Sequence, residues 1–249
     1  MTNNILNMPN SITTDIEGLA SSYDAGTFIE EHSHGMHQIV HAISGTLRVQ
    51  ASEATWFVPP GRALWMPAHV SHAIRCASKV EMRTVYLNGN HLPARPSVEV
   101  IGVSPLMREI MVRISEGCEV KQIPHLKSLL IDEITLMNVE TLHLPIPKDV
   151  RISRLALYLQ EHPDDQTTLA SWAKHLGFSQ RNLIRRIRFE TGMSFRELRR
   201  QTRIMVAIEK LSAGQSVTSV ALDVGFETPS SFIHAFRLIT GSTPRKYVS

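Results

Sequence analysis

Two stretches of the chain carry one pattern about 48 residues apart, and this repeat restricts what the C-terminal part can become. Leu169-Ala170-Ser171-Trp172-Ala173-Lys174-His175-Leu176-Gly177-Phe178 returns as Val217-Thr218-Ser219-Val220-Ala221-Leu222-Asp223-Val224-Gly225-Phe226. Ala173 answers Ala221, Leu176 answers Val224, and Gly177-Phe178 answers Gly225-Phe226. With a one-residue shift, Leu183 answers Phe232, Ile187 answers Phe236, and Thr191-Gly192 answers Thr240-Gly241. Beyond each glycine, Ser194-Phe195-Arg196 answers Thr243-Pro244-Arg245.

One unit reads as helix, glycine turn, helix. Residues 169, 173 and 176 fall at i, i+4 and i+7, the inner stripe of a short amphipathic helix. Gly177 stands where a left-handed residue ends that helix, a conformation in which a Cβ is costly. Ser179 is placed to cap the next helix, which turns Leu183 and Ile187 inward and Arg181, Asn182, Arg185 and Arg188 outward. In the second unit Glu227 or Thr228 is the cap, Pro229 fits the first turn, and Ser230, Ser231, His234 and Arg237 point out. Between the units, Phe195 to Ser212 has no internal Gly or Pro and reads as one helix, a strut of about 25 Å. Major grooves on one face of DNA recur about every 34 Å, so the strut suits two readers in adjacent grooves. A single helical pair of this kind is more often a corner of a helix bundle. Two in tandem, each with a polar outer face, favour paired helix-turn-helix DNA readers.

Over roughly residues 151–249 these features resemble the AraC/XylS transcriptional regulators. The resemblance rests on Ala173, Gly177-Phe178, Leu183, Arg185, Thr191-Gly192, Ala221, Gly225-Phe226, Ser231-Phe232, Phe236, Gly241 and Pro244. Ile187 stands where the first recognition helix of that family usually has Phe, and Phe195 where Pro is common. The resemblance implies that Arg181, Ile184 and Arg185 read bases in the first unit, and Ser230, Ser231 and His234 in the second. The residues themselves point the same way for Arg181 and Arg185, which lie one turn apart; arginine makes bidentate bonds to guanine. Gln180 and Asn182 are partners or phosphate contacts, Arg188 a phosphate contact, and Thr228 and Arg237 complete the set. A rival assignment pairs Arg185 or Arg186 with the neighbouring Glu190 instead. The second unit's donors are short, so most direct specificity is expected from the first.

Charge divides the chain in the same place. Residues 150–249 hold 15 Lys+Arg against 8 Asp+Glu, a net of +7, while the first 149 carry a net of −4. A basic C-terminal part suits a polyanion partner, here double-stranded operator DNA. Cys76 and Cys118 make no disulfide framework and read as reduced thiols. Met1-Thr2-Asn3-Asn4 opens no signal peptide, and no run approaches 18 apolar residues. A cytoplasmic protein with no membrane partner is expected.

Residues 1 to about 24 read as an irregular polar arm, and Thr27 to about Val85 as many short strands punctuated by Gly and Pro, a sandwich or barrel with a small cavity. His32-Ser33-His34 sets two imidazoles on one strand face; Gln38 follows, and His72 comes later. This arrangement resembles the cupin motifs, in which His-x-His, an acidic residue and a later His converge on one metal. Trp56 to Pro67 also resembles the middle of the cupin-type sensor found in many AraC/XylS members. Gln38 replaces the usual Glu, and an amide is a poorer ligand for a hard cation. Three readings stay open for His32, His34, Gln38 and His72: a divalent metal site, a metal-free effector pocket, or structural histidines. No cofactor other than such a metal is indicated. His37 falls on the opposite strand face and reads as a rim residue.

From Pro105 to Ile114, and again from His125 to Thr141, the apolar spacing turns helical, with Ser104 capping the first helix. The second stripe is broad enough to pack on the barrel, and its surplus either belongs to that core or pairs subunits, as helices after the cupin do in the resembled regulators. Leu144-Pro145-Ile146-Pro147-Lys148 is the linker, giving an effector-binding and dimerisation domain over 1–143, a linker over 144–148 and a DNA-binding domain over 149–249. The expected fold is therefore α+β in two domains: a cupin-like β-barrel with following helices, then an all-α tandem helix-turn-helix. The expected function is sequence-specific transcription regulation by a homodimer answering a small effector, with RNA polymerase a further partner and no catalysis. The alternative is a metal-dependent cupin enzyme, a dioxygenase or isomerase, with a DNA-binding appendage.

Overall fold

The computed structural model describes residues 15–88, 92 and 94–247. Two compact units are present: one holds residues up to 52 and 56–141, the other 53–55 and 142 onward. In the first, strands β1 (Ile16–Tyr23), β2 (Phe28–His32), β3 (His37–Ser44), β4 (Leu47–Ala51), β5 (Ala54–Val58), β6 (Arg62–Met66), β7 (His72–Cys76), β8 (Val80–Leu87) and β9 (Glu99–Gly102) follow in order. Helix α1 (Pro105–Glu116), one 3-10 turn (Val120–Gln122), helix α2 (Ile123–Leu136) and β10 (Val139–Glu140) complete it. The strands of this unit form a six-stranded sheet, β1-β8-β3-β6-β9-β10, and a second sheet in the order β5-β4-β7-β2; β11 (His143–Pro145) belongs to the other unit. The β-rich architecture matches expectation. Its form is two sheets, and no closed ring of pairing exists among the described residues.

Three details differ from the sequence reading. Residues 1–14 of the expected N-terminal arm lie outside the described residues, but 16–23, read as irregular, form β1, paired with β8 from Ile16↔Leu87 to Tyr23↔Val80. Helix α2 stops at Leu136, short of the expected Thr141, because Met137 turns extended and Val139 then pairs with Ile101 of β9. The Arg95 guanidinium donates to the carbonyls of Ile134 and Met137, satisfying acceptors that a helix end leaves bare. Within the stretch read as linker, residues 144–145 belong to β11.

Helix α1 begins as expected: Ser104 accepts from the Met107 amide and Pro105 occupies the first turn. Its inner face, Met107, Ile110, Met111 and Ile114, packs with Ile39, Trp65, Val85 and Ile101 of the six-stranded sheet. The fit at β1 is close. A Cβ on Gly18 would lie 2.4 Å from the carbonyl oxygen of Ile114.

The second unit holds α3 (Val150–Glu161), α4 (Leu169–His175), α5 (Gln180–Thr191), α6 (Phe195–Ser212), α7 (Val217–Asp223), α8 (Pro229–Thr240) and α9 (Pro244–Tyr247). Each of α3 to α8 opens on a side-chain cap: Asp149, Thr168, Ser179, Ser194, Ser216 and Thr228 in turn. Such caps contribute about 1 kcal/mol each, which matters for helices of only seven residues like α4 and α7. Ile152, Leu155, Leu159, Ala173, Leu183, Ile187 and Leu198 form one core, under the first helix pair. Under the second pair Phe232 meets Phe226 and Phe236 edge to face, and Phe236 meets Tyr247 likewise. The segment from Pro163 to Thr167 joins the two pairs. Arg203 donates to the carbonyls of Pro163 and Asp165, Arg199 reaches the Thr167 carbonyl and the Asp165 carboxylate, and Gln166 donates to the Gly225 carbonyl.

Candidate functional site

The repeat produces two helix-turn-helix pairs, α4–α5 and α7–α8. On α5, Leu183, Ile187 and Thr191 are buried, while Gln180, Arg181, Asn182, Ile184, Arg185 and Arg188 are exposed. Side chains spaced three and four apart share a face, so burial of 183 and 187 turns 181, 185 and 188 outward. Among the described residues neither Arg181 nor Arg185 forms an ion pair; Arg185 reaches only the Asn182 amide oxygen, at 3.5 Å. Arg186 is the committed one. It lies 3.3 Å from the Asp149 carboxylate and 3.8 Å from Glu190, which also accepts from the Lys148 and Asp149 amides. The pairing to Glu190 weighed from sequence therefore falls to Arg186 alone. On α8, Phe232, Ala235 and Phe236 are buried, and Thr228, Ser230, Ser231, His234 and Arg237 are exposed. Thr228 caps the helix by accepting from the Ser231 amide.

The histidines gather in the first unit. His32 of β2 and His72 of β7 are direct cross-strand partners. The sequence reading set His34 on the same strand face as His32, yet β2 ends at His32 and His34 lies in the following turn. It still joins the others: ring centroids are 4.9 Å apart for His32–His34, 4.2 Å for His32–His72 and 5.3 Å for His34–His72. One ring nitrogen from each lies within 4.8 Å of the others. Nδ1 of His32 donates to the Glu30 carbonyl at 2.6 Å and Nδ1 of His72 to the Val70 carbonyl at 3.0 Å, which leaves Nε2 as the lone-pair nitrogen in both. Burial, reinforced by the neighbouring imidazoles, lowers the His34 pKa to about 4; burial, with His32 beside it, lowers that of His72 to about 4. Both rings are neutral near pH 7.

Gln38 pairs across β3 and β8 with Tyr86, and its side-chain amide donates to the Tyr86 hydroxyl at 3.3 Å. Its Nε2 is thus engaged with a phenol, while Oε1, the atom that would meet a metal in the first of the three readings, has no hydrogen-bond partner. Tyr86 was missed because its own strand carries no mark of a site; only the register brings its ring within 5.0 Å of His34. Burial pushes the Tyr86 pKa up to about 12, so the hydroxyl keeps its proton. His37 stacks on Trp65, outside the cluster. His41 is buried and tied to the Arg62 carbonyl.

A β-rich domain enclosing a polar cluster, ahead of paired DNA-reading helices, defines a ligand-responsive transcription factor. The chain belongs to the AraC family of transcriptional regulators. Residues 13–126 match the AraC-like ligand binding domain and residues 172–249 a helix-turn-helix domain, together most of the chain. It is 28% identical over 222 residues to the HTH-type transcriptional regulator NimR of Escherichia coli (strain K12), covering 88% of this chain and 81% of NimR. It is 40% identical over 112 residues to the HTH-type transcriptional regulator RipA of Corynebacterium glutamicum, where the match covers 45% of this chain and 33% of RipA. Among solved structures, ToxT of Vibrio cholerae aligns over 94% of this chain and 98% of its own at 10% identity and a TM-score of 0.41. The protein is an effector-responsive, DNA-binding regulator. No helix among the described residues is long and apolar enough to cross a membrane.

Proposed function

We propose that the chain regulates transcription in the cytoplasm as a homodimer that binds operator DNA through α5 and α8, acting by binding and not by turnover. Arg181 and Arg185 read bases, with Ile184 packing beside them; Gln180, Asn182 and Arg188 hold phosphates. Thr228, Ser230, Ser231, His234 and Arg237 of the second reader mainly set its position on the backbone. The observation that carries this is the row of exposed, uncommitted guanidiniums at 181 and 185 above a buried Leu183–Ile187 stripe. Dimerisation is supported by the apolar side chains that α2 leaves exposed, Leu129 and Leu136. The effector site lies among the clustered histidines of the first unit. Effector binding shifts the chain between two states of different operator affinity, which requires only a difference in effector affinity between them. RNA polymerase is the partner through which a bound dimer alters transcription.

Genome-wide mapping of bound sites supplies the operator on which this reading is tested. Arg185→Ala is expected to lower discrimination between operator and mismatched DNA by about 5- to 150-fold, the equivalent of about 1–3 kcal/mol. Arg188→Ala should weaken all duplexes alike and reduce the slope of log affinity against log salt by about one. Fluorescence anisotropy over a salt series measures both. Unchanged operator affinity in Arg185→Ala would remove the base-reading assignment.

A further inference from the structure

We propose that Nε2 atoms of His32, His34 and His72 hold a divalent transition-metal ion, and that this ion takes an anionic oxygen donor, a carboxylate-class ligand, in its open position. This deepens the reading of the first unit as the effector-binding part and rests on it.

The geometry is that of a ligand set waiting to close. Cross-strand pairing fixes His32 opposite His72, and the turn after β2 brings the His34 ring against both. That turn is itself held, since the His69 amide donates to the His34 carbonyl at 2.7 Å. Backbone carbonyls accept from Nδ1 of His32 and His72, the outer-shell arrangement that orients a metal-binding imidazole and leaves Nε2 free. Nε2 of His34 and of His72 are enclosed and have no hydrogen-bond partner, as does Oε1 of Gln38. Buried polar atoms are rarely left so, and two lone pairs converging with a third define one acceptor-only hole. A proton donor or a cation fits it. Ligand nitrogens within 4.8 Å of one another need a small inward movement to reach the separation of about 3.4 Å that metal–nitrogen bonds of about 2.0–2.1 Å impose in a tetrahedron. Three imidazoles select zinc, cobalt, nickel, copper or ferrous iron over magnesium or calcium.

The nature of the fourth ligand follows from charge. Among the described residues no Asp or Glu belongs to the cluster. Glu31, the carboxylate nearest in sequence, is exposed and accepts from the Ser71 hydroxyl. Gln38 and Tyr86 are neutral and bonded to each other through Gln38 Nε2, so whatever share the free Oε1 takes in coordination adds no charge. A bound ion therefore keeps its full double charge in a partly buried place, and three protein ligands leave a position open. An anion lowers the cost of that buried charge, and a neutral ligand of the same size does not. The glutamate that a metal-binding cupin would place at Gln38 would have supplied this charge internally. Its absence assigns the task to the incoming ligand.

The test uses the untagged full-length chain, stripped with chelator and titrated with Co(II). One equivalent is expected to bind, with the visible absorption of a low-coordinate cobalt site and displacement by zinc. His34→Ala and His72→Ala should weaken binding by more than the ~10–100-fold that outer-shell losses cost, while His125→Ala, on the exposed face of α2, keeps it. Circular dichroism matching the parent separates loss of ligand from loss of fold. Acetate and benzoate should then shift the cobalt spectrum saturably, and acetamide and benzamide should not. Absence of stoichiometric cobalt binding, or binding that both histidine variants retain, overturns the metal site. A spectrum indifferent to the carboxylates, or equally responsive to the amides, overturns the anionic ligand. These readouts involve no DNA, so they succeed or fail separately from the regulator reading, which operator affinity tests.

Discussion

Alanine at Gly225 is expected to destabilise the second unit by about 2–5 kcal/mol, whereas alanine at its repeat counterpart Gly177 costs only about 1 kcal/mol. Both glycines adopt positive φ, +81° and +68°, so each substitution bears the left-handed penalty of about 1–2 kcal/mol, part of it offset by a stiffer unfolded chain. The surroundings differ. A Cβ on Gly177 meets nothing within 4 Å, while on Gly225 it would stand 2.6 Å from the Asp164 Cα and 3.0 Å from the Arg203 guanidinium. The first of these is backbone and has no rotamer to yield, and crowding of that kind adds about 1–3 kcal/mol. Urea denaturation of the full chain, with hydrogen exchange read at residues 164–166 and 224–232, measures the contrast. Equal losses for the two variants would mean that the close approach at Asp164 relaxes freely.

Gly18→Ala is the second large effect, expected to remove about 3 kcal/mol from the first unit. Here φ is ordinary and space alone decides. The new methyl would lie 2.4 Å from the Ile114 carbonyl oxygen, 2.6 Å from its carbon and 2.7 Å from the Ser115 Cα, all backbone. Helix α1 must lift from β1 and β8, loosening Met111 and Ile114 in the core and the Ser115 hydroxyl bond to the Thr84 carbonyl. Thermal unfolding of the parent and the variant, with exchange protection of 107–115 as the local probe, tests this. Undiminished protection there would show that the sheet edge gives way in place of the helix.

Gly18 also marks where sequence reasoning stopped. In isolation a glycine weakens a strand, and residues 16–23 read as part of an irregular polar arm. Only the helix passing above β1 explains it. The DNA-binding half was legible because its determinants are local. The cap at Ser179, apolar spacing at 183 and 187, and the glycine pair all act within a few residues of themselves. His32, His34 and His72 were legible as a group through the resemblance their spacing carries, although the turn placing His34 was not. Gln38's partner Tyr86 lies 48 positions away and is set by β3–β8 register, which no local pattern encodes. The Pro163–Thr167 junction was equally hidden, since Arg199 and Arg203 look in sequence like further outward charges on α6.

That junction has a bearing on heredity as well as on shape. With backbone carbonyls of 163, 165 and 167 clasped by two arginines of α6, and Gln166 bonded to Gly225, the two helix pairs are tied together before any duplex is met. On the reading proposed above, promoters recruited to this regulator drift toward the protein's own gauge, while the protein changes its vocabulary of bases one exposed side chain at a time.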